Sequence, residues 1–129
     1  MPEGSILIVD DELLIRDLLY DFFVSQGWQT SVAENGQKAL EILGNRKVDL
    51  VLTDLRMPDM DGLALTSEMR SSFPDIPVII MTAYPSVDSA VEALRSRVAD
   101  YVTKPFNINR LYKTIKAQLE GSKGAVNES

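Results

Sequence analysis

Five times along this chain a short apolar run gives way to an amphipathic helical stretch, and that alternation limits the fold more than any other feature of the sequence. The first run, Ile6-Leu7-Ile8-Val9, contains no polar residue, so it reads as a strand buried on both faces. Behind it Ile15, Leu18, Leu19 and Phe22 form an i, i+3, i+4, i+7 stripe, with Arg16, Asp17 and Asp21 opposite and Gly27 as the helix stop. Gln29–Ala33 is more polar and predicts an edge strand; Asn35-Gly36 then turns the chain into a helix carrying Ala39, Leu40 and Leu43. Residues 48–53 predict the third strand, followed by an Asp- and Pro-rich loop (54–62) and a helix with Leu65 and Met69. Pro77 opens the fourth strand, 78–81, and the next helix shows a second full stripe in Val87, Ala90, Val91 and Leu94, with Ser86 as its N-cap. Residues 99–103 form the fifth strand, closed by Lys104-Pro105. The last helix starts near Asn107 and buries Ile108, Leu111, Ile115 and Leu119.

Strand–helix units of this length, within 129 residues, predict one α/β domain with a mainly parallel sheet covered by helices on both faces. The domain is expected to fill residues 5–120, with the small, polar stretch 121–129 as a linker or frayed tail. A formal charge of -6 argues against this domain gripping nucleic acid or an anionic membrane. Without cysteine there is no disulfide, thiol nucleophile or thiolate metal site, and without histidine no His-based acid/base chemistry. The apolar runs are too short to span a bilayer and the N-terminus shows no secretory pattern, so a cytoplasmic location is expected.

In open α/β sheets ligands bind at the carboxyl ends of the strands, near the point where strand order reverses. The residues just after the apolar runs are Asp10-Asp11-Glu12, then Asp54, Thr82 and Lys104; only the second run delivers nothing chemical. Carboxylates converging on one spot raise each other's pKa, and a hard divalent cation relieves them. A nearby ammonium and hydroxyl are then free to hold a ligand with anionic oxygens, for which phosphoryl is the natural candidate. An aspartate, with a reference pKa of about 3.9, attacks phosphorus without a general base.

Four motifs, in order and at the right separations, carry a family resemblance: Ile-Leu-Ile-Val-Asp-Asp-Glu at 6–12, Asp-Leu-Arg-Met-Pro-Asp-Met-Asp-Gly at 54–62, Met-Thr-Ala at 81–83 and Asp-Tyr-Val-Thr-Lys-Pro-Phe at 100–106. Over roughly residues 5–120 the sequence resembles a response-regulator receiver domain of two-component signalling. The stretch 86–94 is similar to receivers of the NtrC-like type, attached to ATPase-type transcription activators. The resemblance implies a flavodoxin-like, doubly wound domain: a five-stranded parallel sheet of order 2-1-3-4-5 with five helices. It implies Asp54 as phosphoacceptor, forming an acyl phosphate with Mg²⁺ (or Mn²⁺) held directly by Asp11 and Asp54, by Asp10 through water, and by the backbone carbonyl of Arg56. Lys104, aimed by a cis bond to Pro105, and Thr82 would hold the phosphoryl oxygens, while Tyr101 occupies the aromatic switch position.

Each role has a plainer reading beside it: acids gathering at a helix N-terminus for Asp10 to Glu12, a β-branched strand end for Thr82, a half-buried strand tyrosine for Tyr101. The resemblance further implies a sensor histidine kinase or phosphotransfer protein as donor, and a switched face built from the fourth helix, fifth strand and last helix. That face would contact an output domain or partner protein, or a second copy in a phosphorylation-dependent homodimer, with no direct nucleic acid contact and no membrane. The chain would be a signalling phosphoacceptor rather than an enzyme, able to phosphorylate itself from small donors. Large side chains at Arg56 and Tyr84, which in the family flank the path of attacking water, imply slow self-dephosphorylation. The competing class is an aspartyl-nucleophile phosphohydrolase, which would want an acid where Arg56 stands. Arg97-Val98 departs from the family's usual Gly-Ala, at a position where glycine serves as a left-handed helix cap.

Overall fold

The computed structural model describes the backbone of residues 4–127 and the side chains of residues 4–120. Strands and helices alternate strictly: β1 (Ser5–Val9), α1 (Leu13–Ser25), β2 (Gln29–Ala33), α2 (Gly36–Asn45), β3 (Leu50–Asp54), α3 (Gly62–Ser72), β4 (Val78–Thr82), α4 (Val87–Arg95), β5 (Asp100–Thr103) and α5 (Ile108–Asn127). The stretch from Gly121, read in sequence as a linker or tail, is helical as far as Asn127, and residues 128–129 lie outside the described residues.

All pairings are parallel and the strand order is β2-β1-β3-β4-β5, as expected, so the order reverses between β1 and β3. β3 and β4 are buried at every position, because helices cover both sheet faces. One core joins Leu7, Val9, Val51 and Ile80 to Ala39 and Leu43 of α2 and Leu65 and Met69 of α3. The other joins Ile8, Leu52, Ile79 and Met81 to Leu19 and Phe23 of α1 and Leu111 and Ile115 of α5. In that second core the indole Nε1 of Trp28 donates to the Tyr112 hydroxyl at 3.1 Å, and Phe23 and Tyr112 stack edge-on around it.

Two amphipathic stripes differ from expectation. On α1 the buried pair is Leu19 and Phe23, with Ile15 and Phe22 partly buried, while Leu18 is 56% exposed. Three of the four stripe residues thus face the core and Phe23 takes the place expected for Leu18, since apolar side chains almost encircle α1 and periodicity alone does not choose among them. Arg16, placed on the solvated side by sequence, instead reaches back to the carbonyl of Asp10 at 2.8 Å. On α4 the stripe is real but faces outward: Val87 and Leu94 are 79% and 77% exposed, and Ala93 is its one buried residue. α4 is tied to the short edge strand β5 by the Ser89–Tyr101 hydrogen bond, and β5 is itself nowhere fully buried.

Local punctuation follows the chemistry of the turns. Asn35, Asp61 and Ser86 cap their helices by accepting from the backbone N–H three residues on, and Ser86 and Ser89 form a reciprocal capping box. Gly27 ends the α1 turn at φ 89, and a side chain at Gly62 would meet the carbonyl oxygen of Asp54 at 2.6 Å. Arg97 adopts φ 60, so this chain places an arginine where left-handed backbone favours glycine.

Candidate functional site

Sheet register assembles the site. Val9 of β1 pairs with Thr53, so Asp10 and Asp54 emerge side by side where the strand order reverses. Asp54 pairs with Met81, one residue before Thr82, and Thr82 pairs with Thr103, one residue before Lys104. The backbone N–H of Lys104 continues that ladder to the Thr82 carbonyl at 2.8 Å. The Lys104-Pro105 bond is cis, as the motif implies.

Asp10 and Asp54 are buried, and so is the Lys104 side chain, at 9% exposure. The Lys104 ammonium lies 3.0 Å from Asp10, 3.5 Å from Asp54 and 3.6 Å from Glu12. The other Asp10 oxygen accepts from the Glu12 N–H at 2.8 Å. Burial, then the charges of Asp10 and Asp11, push the Asp54 carboxyl up to about 6, against the pull of Lys104. Burial also raises Asp10 despite its bonds to Glu12 and Lys104. For Lys104, burial pulls down, but the Asp10 hydrogen bond and the charges of Asp10, Asp54 and Glu12 outweigh it and the ammonium is held above its usual value. One cation among buried acids leaves the pocket short of positive charge.

That shortage fits a divalent metal. Carboxylate oxygens of Asp10, Glu12 and Asp54 all lie within 4.8 Å of one another, a donor set that could hold a hard cation. Glu12 was not among the ligands expected from sequence. The chain bends at Asp11, and the Glu12 N–H donates to an Asp10 carboxylate oxygen at 2.8 Å, which brings Glu12 back beside Asp10. The three acids were visible in the Asp-Asp-Glu run; the bend that decides which of them face the site was not. Glu12 makes no side-chain cap on α1. Asp11 is exposed and outside that trio, near enough that its charge acts on Asp54. Arg16 is a further residue that sequence reasoning missed, since its guanidinium fixes the Asp10 carbonyl.

Other expected residues fall around the rim. Thr82 is buried, and its hydroxyl accepts from the Tyr84 N–H at 3.0 Å. Arg56 is exposed in the loop after β3, and Tyr84 is 69% exposed. Tyr101 is half-buried against the α2–α3 core, and its hydroxyl shares a hydrogen bond with Ser89 of the α4 capping box.

A doubly wound parallel sheet with a buried aspartate, a lysine and a threonine gathered at its switch-point edge places the candidate site where such folds bind their ligands. Residues 6–116 match the family described as the response regulator receiver domain, and the chain belongs to that family. It is 47% identical over 117 residues to the regulatory protein AtoC of Escherichia coli strain K12, an alignment covering 91% of this chain and 25% of AtoC. Among solved structures it resembles a CheY-like receiver domain protein from Methanospirillum hungatei JF-1 (TM-score 0.91, 29% identity, 95% of this chain and 98% of that one). It also resembles NtrX from Brucella abortus, solved in complex with ATP (TM-score 0.88, 33% identity, 96% of this chain and 28% of NtrX). The chain therefore spans about a quarter of the length of the curated relatives it matches. It is a receiver domain of two-component response regulators, whose characteristic role is to accept a phosphoryl group, and the NtrC-like kinship read from residues 86–94 agrees with these relatives. Among the described residues no helix is long and apolar enough to cross a membrane.

Proposed function

We propose that Asp54 is the phosphoacceptor, within a receiver unit of residues 5–120 that resides in the cytoplasm and is connected onward through 121–129. The supporting observation is that Asp54 is buried at the switch point with the Lys104 ammonium 3.5 Å away and a backbone ladder leading to Thr82. A carboxylate oxygen of Asp54 attacks phosphorus and the P–N bond of a kinase or phosphotransfer phosphohistidine breaks, so the phosphoryl passes to Asp54 and the electron pair returns to imidazole. The same attack on a small acyl phosphate gives self-phosphorylation.

Asp10, Glu12 and Asp54 would hold the cation, joined by Asp11 and the Arg56 carbonyl as the family pattern implies. Bound there, Mg²⁺ or Mn²⁺ offsets carboxylate repulsion and the charge on the phosphoryl oxygens. Lys104 exchanges part of its contact with Asp10 for a phosphoryl oxygen, and Thr82 turns its hydroxyl from the Tyr84 N–H toward the same group. Tyr101 then repacks, and the α4–β5–α5 face shifts toward a second arrangement that an output domain, a partner protein or a second copy reads. The domain itself, with its net charge of -6, makes no direct contact with nucleic acid or membrane.

Incubation of the chain with Mg²⁺ and acetyl phosphate, followed by mass measurement, should add one phosphoryl group, and Asp54→Asn should add none. Equal gain by both would remove Asp54 from the role. Decay of the adduct should be slow, and should quicken in the Arg56→Ala, Tyr84→Ala double variant as water gains access; an unchanged decay rate removes both residues from lifetime control.

A further inference from the structure

At the far edge of the sheet lies a basic cavity that phosphoryl chemistry does not use. Helices run back against parallel strands, so the C-terminal ends of α3 and α4 sit by the starts of β4 and β5, where Ala99 bonds to Val78. There Ser67, Arg70, Pro74, Arg95, Ser96 and Arg97 line a cavity of about 450 Å³, within the size range of ligand sites. No carboxylate lines it, although the chain carries 19 acids against 13 bases.

The three arginines are not equivalent. Arg70 donates to the carbonyls of Pro74 and Ile76 at 2.9 and 2.8 Å, so it braces the α3–β4 turn and leaves its charge uncompensated. Its Nε is buried with no hydrogen-bond partner. Arg95 has an exposed partner in Glu92 at 3.3 Å, a pair worth little in water. Both lie in the last turns of their helices, where the macrodipole alone would favour a cation. Arg97 has no such reason to be there. It stands beyond the helix, has no carboxylate within 4.0 Å among the described residues, and holds φ 60 where glycine would cost less.

We propose that this cavity docks an acidic peptide segment of a partner protein. Arg95 and Arg97 present guanidinium forks to carboxylates and the hydroxyls of Ser67 and Ser96 add donors, while the lack of any aromatic wall gives a nucleobase nothing to stack on. The cavity lies by the starts of the parallel strands and Asp54 at the end of β3, so occupancy does not compete with the acidic pocket.

The test titrates the whole chain with a short, end-blocked oligo-glutamate peptide, with oligo-lysine and inorganic phosphate as parallel probes, by calorimetry and amide chemical shifts. The peptide should bind, shift Ser67 and Ser96 and weaken with salt, while oligo-lysine should not bind there and phosphate should not displace the peptide. Arg97→Gly restores the residue that the backbone favours, so it should melt no lower than the native chain and yet bind the peptide about fivefold or more weakly. Arg97→Lys, which keeps the charge without the fork, should fall between. Equal affinity for the native chain and Arg97→Gly would overturn the proposal. Full displacement by phosphate would also overturn it, in favour of a small-oxyanion site.

Discussion

The β1–β3–β4 centre of this domain and its α4–β5 margin are built to different standards. In the centre β3 and β4 are wholly buried, α1 and α3 drive Phe23 and Met69 into the cores, and Asp10 and Asp54 are buried at the strand ends. At the margin α4 commits one alanine to the interior and turns Val87, Val91 and Leu94 outward, held at its N-terminus by the Ser86–Ser89–Tyr101 hydrogen bonds. A site that must place oxygen atoms within a few tenths of an ångström needs the first kind of support, and a surface that must take two arrangements needs the second.

The sharpest way to break that contrast is to cut into each region in turn. Phe23→Ala should cost about 3–5 kcal/mol in urea denaturation, because a buried aromatic leaves a cavity that the packed sheet cannot close. An effect below about 1 kcal/mol would mean that the centre is no more rigid than the margin. Next in size is the acid pocket. With no metal bound, Asp54→Asn should stabilise the chain at pH 7 by on the order of 3 kcal/mol, since the native carboxyl is raised from 3.8 to about 6. The sign follows from proton binding: between those values the folded state keeps a proton that the unfolded chain has released. Native stability without metal should therefore fall as pH rises from about 4 to 6, and the decline should shrink when Mg²⁺ is added.

Smaller effects sharpen the margin. Ser86→Ala removes the α4 cap and should cost about 1 kcal/mol, seen as faster hydrogen exchange in α4 while the central strands exchange unchanged. Leu94→Ala should alter global stability by no more than about 0.5 kcal/mol, because its side chain is already in water. A large loss there would place Leu94 in the core.

What was legible in the sequence divides along the same line. Buried parallel strands write themselves as uninterrupted apolar runs, and polar residues directly after them are visible as departures, so the strands and the strand-end positions of Asp54, Thr82 and Lys104 could be read in advance, whereas the strand order came only with the family resemblance. β3 extends to include Asp54 itself, one residue beyond the expected end. Helix faces were less legible. The stripe on α4 has helical spacing whether a neighbour covers it or not, and the apolar ring on α1 leaves open whether Leu18 or Phe23 is buried; only the position of each helix over the sheet decides. Glu12 and Arg16 escaped notice because their parts depend on which way a short bend turns them, a property of three-dimensional direction rather than residue type.

The hydrogen bond from Trp28 to Tyr112 gives the molecule a built-in optical gauge. As the chain's single tryptophan, Trp28 emits from the seam between α1 and α5, on the sheet face away from α2 and α3. Its fluorescence will register the moment α5 peels from the domain, and will stay silent while α4 rearranges.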